Sequence, residues 1–312
     1  MTLKSTKRLV GKCNILFPFL LFSTLLFLIL RFSGEIREGI VYGIRFSVAT
    51  LIPSIFPFMI LADYLQSFEW KNKKRLPDRH RESVLGMASS SISVLLTGFI
   101  CGFPLGAKAA SELYGRGEIE RREAETLCAV ATSPSIAFTI SGVGLAMRGR
   151  ASDGIILYAS VILSALLTAA ILKSKAQYIT KCDNISKQKF NLSASIKNAS
   201  FSSLTISSFV AFFSGVLNLI KSLIKSEAFL PIIATFLEVG CACNLISTSD
   251  LFTEKTSLIF TGFALAFSGI SVHFQSFAFM PKDFSRLRYV CLKLMQGLIC
   301  SAILCLLLLI KK

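Results

Sequence analysis

Two apolar stretches long enough to cross a bilayer are each interrupted by polar, helix-loosening residues. One break falls at Thr132, Ser133, Pro134 and Ser135; the other runs from Ser268 and Gly269 through Ser271 and His273 to Gln275. In hydrocarbon an unpaired N–H or C=O costs several kcal/mol, so such breaks survive only inside protein or beside a watery cavity. Two of them, in corresponding halves of one chain, is the pattern of a transporter binding site.

Composition agrees. Only 17% of the 312 residues are charged and 53% are hydrophobic, whereas a soluble domain carries about 25% charge. No alternating strands of about 10 residues appear, so helices are the expected spanning element and the chain reads as an all-α, polytopic membrane protein. The net charge of +16 sits mostly in loops, where membrane orientation explains it. Zinc-finger spacing and arginine-aromatic strips are missing, which excludes nucleic acid as a partner. The nine cysteines contain no CxxC; Cys241 and Cys243 read as small packing residues rather than a metal or redox pair.

Lys4, Lys7, Arg8 and Lys12 precede an apolar run at 15–30 with no small-x-small cleavage site after it. This predicts an uncleaved first helix with a cytoplasmic amino terminus. Further apolar segments follow at 46–65, 83–103, 126–147, 154–172, 201–220, 230–249, 256–280 and 290–310. Were all to span, the basic loops at 69–82 and 173–200 would face opposite sides. Basic loops prefer the cytoplasm, so an odd number of the intervening segments fails to cross. The segment 83–114, turning at Gly102, Phe103 and Pro104, is the expected re-entrant hairpin, which leaves the loop 116–125 cytoplasmic as well.

The second half repeats this order from the opposite side: a spanning segment, a short polar-bearing one, a broken one and a plain last one. The expected fold is therefore an inverted-repeat, transporter-like arrangement with two re-entrant hairpins and two broken helices. Its parts are an amino-terminal helix and linker (1–45), a first repeat (46–172), a basic cytoplasmic linker (173–200) and a second repeat (201–312). Matches such as Gly106 with Gly240 and Ile136 with Ile270, an alignment that places Pro134 on Ser268, are few, and the order of segment types carries more than these identities.

Candidate site residues follow from the breaks. Gly102, Pro104 and Gly106 allow a turn into a new helix whose free N–H groups would seat an anion, with Lys108 one turn along. Glu238, ionisable inside an apolar span, is expected either to bind a coupling ion or to neutralise Lys108. Ser133, Ser135, Asn244, Ser268, Ser271, His273 and Gln275 complete the expected substrate-binding set. Arg121 and Arg122 among Glu118, Glu120, Glu123 and Glu125 read as a solvated, salt-bridged helix face. Walker, kinase, GxSxG, HExxH and EF-hand motifs are lacking, so no enzyme activity, cofactor or metal is expected.

The same residues carry a family resemblance. The run from Leu51 to Leu61 with Pro53 and Pro57, the motif Gly102 to Lys108 followed by Glu112 and Tyr114, Ser133 to Phe138, and Ser271 to Gln275 resemble the YlbJ/SpoVV family of sporulation integral membrane proteins. Its paired nucleoside-recognition Gate domains are similar to those of concentrative nucleoside transporters. The resemblance implies transport of dipicolinic acid across the outer forespore membrane. Two alternatives stand beside it: a nucleoside or other small-solute carrier, and a structural or signalling protein of a sporulation membrane complex. Expected partners are an anionic small molecule, a coupling proton or sodium ion and the lipid bilayer of a cell or outer forespore membrane, and a homo-oligomer is compatible with the chain.

Overall fold

The computed structural model describes residues 22–24, 26–67, 89–172, 190–224 and 227–310. The basic loops at 69–82 and 173–189, His80, Cys13, Cys182 and the amino-terminal lysines lie outside these residues, as does most of the expected first helix. All regular structure among the described residues is helical.

An apolar helix at Phe22–Arg31 leads into α1 (Ser33–Phe46), a π-helical turn (Ser47–Leu51) and α2 (Ile52–Ser67). Next come α3 (Ser89–Cys101), α4 (Leu105–Gly115), α5 (Arg121–Ala131), a second π-helical segment (Phe138–Met147) and α6 (Ala151–Ile171). The remainder comprises α7 (Leu192–Leu223), α8 (Leu230–Leu237), α9 (Val239–Thr248), α10 (Glu254–Phe267), α11 (Gly269–Phe277) and α12 (Arg286–Ile310). Among the described residues four stretches are long and apolar enough to cross a membrane: Ala151–Ile171, Leu192–Leu223, Glu254–Phe277 and Arg286–Ile310. The pair Ser33–Leu51 and Ile55–Leu61, bent by 53°, would make a fifth.

Lipid gives apolar faces no reason to separate from it, so helices associate where small residues let backbones approach. Gly39 and Gly43 of α1 do this against Ala211, Ser214 and Gly215 of α7, where a Cβ on Gly43 would lie 2.7 Å from the Ala211 Cα. Gly144 in the second π-helical segment meets Gly154 of α6 in the same way.

α3 and α4 fold back on each other about Gly102. Gly98 and Gly106, each four residues from that turn, both face the main-chain carbonyl of Ala131 at the end of α5. α8 and α9 pack together likewise about Glu238.

Polar clamps tie both ends of the first broken helix to the second half. At one end, Glu125 near the start of α5 accepts from Arg288 at 2.9 Å and from the Ser285 N–H at 3.1 Å, beside the start of α12. Tyr114 donates to Asp283 there at 3.1 Å. At the other, Arg148 donates to Ser257 of α10 at 2.7 Å and pairs with Asp153 at 3.0 Å, while Arg150 pairs with Glu254 at 2.9 Å. The end of the first broken helix thus meets the start of the second, and its start meets the connection from the second to α12.

Glu123 and Glu125 correct the expectation of a solvated face. Both are buried, Glu123 taking the Ser91 hydroxyl at 2.7 Å. They face the hairpin and α12 because the first turn of α5 is covered by both. α12 is also not the plain final helix expected, since Lys293 and Gln296 are fully buried within it.

Candidate functional site

At the first hairpin turn, Gly102 adopts φ +84°, a left-handed conformation open to glycine at little cost. A Cβ there would lie 2.6 Å from the Ser135 amide nitrogen. Pro104 sits just before α4 rather than in its first turn. The turn of the first hairpin therefore rests on the break of the first broken helix.

That break frees carbonyls at the end of α5, and each of the following has a donor. Thr132 Oγ1 reaches the Cys128 carbonyl at 2.6 Å, Ser133 Oγ the Val130 carbonyl at 3.2 Å, and the Ser133 N–H the Ala131 carbonyl at 3.0 Å. The Thr132 carbonyl accepts from Lys293 Nζ at 2.6 Å. Lys293 Nζ also donates to Gln296 Oε1 at 2.9 Å, and the Gln296 amide points its Nε2 at Ser133 Oγ, 3.5 Å away.

The second half has the same plan with different chemistry. Glu238 is extended, 2% exposed, and separates α8 from α9. Its carboxylate accepts the N–H groups of Gly240 at 3.0 Å and Cys241 at 2.6 Å, capping α9. Ser268 and Gly269 both take positive φ, 76° and 71°, and break the second helix. A Cβ on Gly269 would lie 3.3 Å from the Glu238 amide nitrogen. Here too the hairpin turn meets the break of its own half.

Between the halves lies a small cavity lined by Gly102, Phe103, Ser135 and Phe138 from the first and by Glu238, Gly240, Val272 and Gln275 from the second. The space open to a water's centre is about 20 Å³, room for one or two waters. Gln275 is 2% exposed; its Nε2 donates to Ser271 at 3.3 Å while its Oε1 has no partner among the described residues. A buried amide left half-paired is costly and fits a site that receives a donor.

Of the expected site residues, Gly102, Ser135, Glu238 and Gln275 line this cavity, and Ser271 orients Gln275. Gly106 is used up in packing on Ala131, and Ser133 and Ser268 bond within their breaks. Asn244 lies away from the cavity, donating to the Tyr42 hydroxyl at 3.3 Å. His273 is packed among Phe267, Phe277 and Tyr289, with Nε2 2.8 Å from the Phe267 carbonyl. A carbonyl only accepts, so that nitrogen carries the proton. Lys108 is half-buried on α4, outside the cavity, and makes no ion pair with Glu238. Cys241 and Cys243 are free and buried.

Lys293 and Gln296 were not anticipated. The signal was there: a lysine within an apolar span is the kind of residue that drew attention to Glu238. No family model, curated protein or solved structure matches this chain.

Proposed function

We propose that the chain is a secondary transporter for a small organic anion, built as an inverted repeat in which each half supplies a re-entrant hairpin and a broken helix. The observation that carries this reading is the cavity, where both hairpin turns, the first break and the helix that follows the second meet around buried Glu238 and Gln275.

Helix lengths support re-entrance. α3 and α4 have 13 and 11 residues, α8 and α9 have 8 and 10. At 1.5 Å per residue these reach roughly 12 to 20 Å, well short of the ~30 Å hydrocarbon core. The clamps support inversion: the end of the first broken helix holds the start of the second, and its start holds the connection that leaves the second's end, as in helices that run in opposite directions. They also put the loop at 116–125 beside the loop carrying Lys282, Arg286 and Arg288, as basic loops on a common cytoplasmic side would be.

Dipicolinate is the first cargo to test, on the strength of the resemblance to the YlbJ/SpoVV family, with the outer forespore membrane as its location. One observation favours a nucleoside or other neutral solute instead: the cavity-lining Gln275 Oε1, without a partner among the described residues, is an acceptor, as is the Glu238 carboxylate that caps α9, and both suit a donor-bearing ligand. A cavity of this size admits neither cargo, so the halves must part to load it; pockets that bury an organic ligand run to about 300 Å³ or more. Uptake of labelled dipicolinate and of labelled uridine into proteoliposomes, with and without proton and sodium gradients, tests the reading. Accumulation of either supports transport and identifies the cargo class. Neither entering, with folded protein, removes these cargoes.

A further inference from the structure

The least expected group in the molecule is the Lys293 side chain. It is 0% exposed, yet no carboxylate among the described residues lies within ion-pairing distance. Its two contacts are neutral oxygens, the Thr132 carbonyl at 2.6 Å and Gln296 Oε1 at 2.9 Å. An ammonium taken out of water costs several kcal/mol unless something replaces its hydration. What replaces it here is the carboxyl end of α5, where freed carbonyls and the helix dipole concentrate negative potential.

Carbonyls at an unwound helix are ligands with which broken helices of transporters hold a small cation, and here the Thr132 carbonyl is joined by the Gln296 amide oxygen. Lys293 reaches across from α12, 161 residues away in sequence, to deliver its charge to that position. At the second break the freed Phe267 carbonyl takes the His273 ring N–H at 2.8 Å rather than an ammonium, and the buried carboxylate of that half, Glu238, sits at its hairpin turn.

We propose that the first break is a monovalent-cation site that the chain fills permanently with its own ammonium. A mobile coupling ion is thereby excluded from the first half and left to the cavity beside Glu238. The consequence for coupling rests on the transport reading; the site does not, and its test needs no cargo.

The test is thermal unfolding of detergent-purified protein in choline chloride, sodium chloride and ethylammonium chloride at equal ionic strength. Wild type should melt at one temperature in all three. Lys293→Ala empties the slot, so it should melt lower in choline and regain several degrees in sodium or ethylammonium. Lys293→Gln, which refills the slot with a neutral stem, should show no such gain. A folded Lys293→Ala protein indifferent to the cation overturns the proposal, as does wild type gaining as much from sodium as the variant does.

A second variant covers the case in which Lys293→Ala fails to fold in any salt. Gln296→Glu places a carboxylate beside Nζ. Beside a true ammonium it forms an ion pair and the melting temperature holds or rises. A fall of several degrees would mean that the lysine is neutral and that the site holds no cation.

Discussion

Gly102 lies against the backbone of Ser135, so closely that a Cβ on the glycine would sit 2.6 Å from the serine amide nitrogen. The turn of one hairpin and the break of one helix are thus a single contact surface. Gly102→Ala would add both a left-handed strain of about 1–2 kcal/mol and an overlap with main chain that cannot move aside. The expected result is a melting temperature several degrees below wild type. A variant that melts normally would mean that the turn does not seat on the break.

Glu238 and Lys108 separate two accounts of the site. Glu238 lines the cavity, whereas Lys108 does not. Glu238→Gln keeps the shape, loses the charge and turns an amide N–H₂ toward one of the two capped N–H groups. Uptake should fall at least tenfold, the equivalent of about 1.4 kcal/mol. Lys108→Met should leave uptake within about twofold, a difference of some 0.4 kcal/mol. The opposite pattern would return the anion to the amino end of α4.

The clamps predict topology. In a background lacking the native cysteines, single cysteines at Gly117 and Lys282 should be labelled from one side of the membrane by an impermeant maleimide. A cysteine at Gly149 should be labelled from the other. If Gly117 and Gly149 react from the same side, the first broken helix does not cross and the inverted repeat falls.

Glu125 predicts stability. It is buried and takes three donors, Arg121 at 3.0 Å, Arg288 at 2.9 Å and the Ser285 N–H at 3.1 Å. Removing one partner of a buried charged group costs about 3–5 kcal/mol. Glu125→Ala should lower thermal stability more than any single change at the exposed Arg121. Equal effects would show that the burial of Glu125 is unimportant.

Much of this arrangement was legible in residue types. Pro134 and the Ser268–Gly269 pair announce breaks because no other use for them exists inside an apolar span. Gly102 and Pro104 mark a turn, and Glu238 stands out as a charge among apolar neighbours. What could not be read is which polar residues face one another. His273 and Lys108 looked like ligands, but the ring is held by the Phe267 carbonyl and the lysine is half-buried on α4 outside the cavity. The role of Lys293 is not legible in sequence because the carbonyl it bonds, that of Thr132, lies 161 residues away. The two π-helical segments have no local signature; they follow from packing, the second from the close approach of Gly144 to Gly154.

Gly98 and Gly106 straddle the Ala131 carbonyl from the two arms of one hairpin. A hairpin so keyed cannot swing alone, because either arm would have to climb over a main-chain oxygen. The first hairpin and first broken helix therefore travel as one block. On the proposed transport reading the cavity would open along the seam between the halves, and mutations that stiffen the seam should slow turnover without touching affinity.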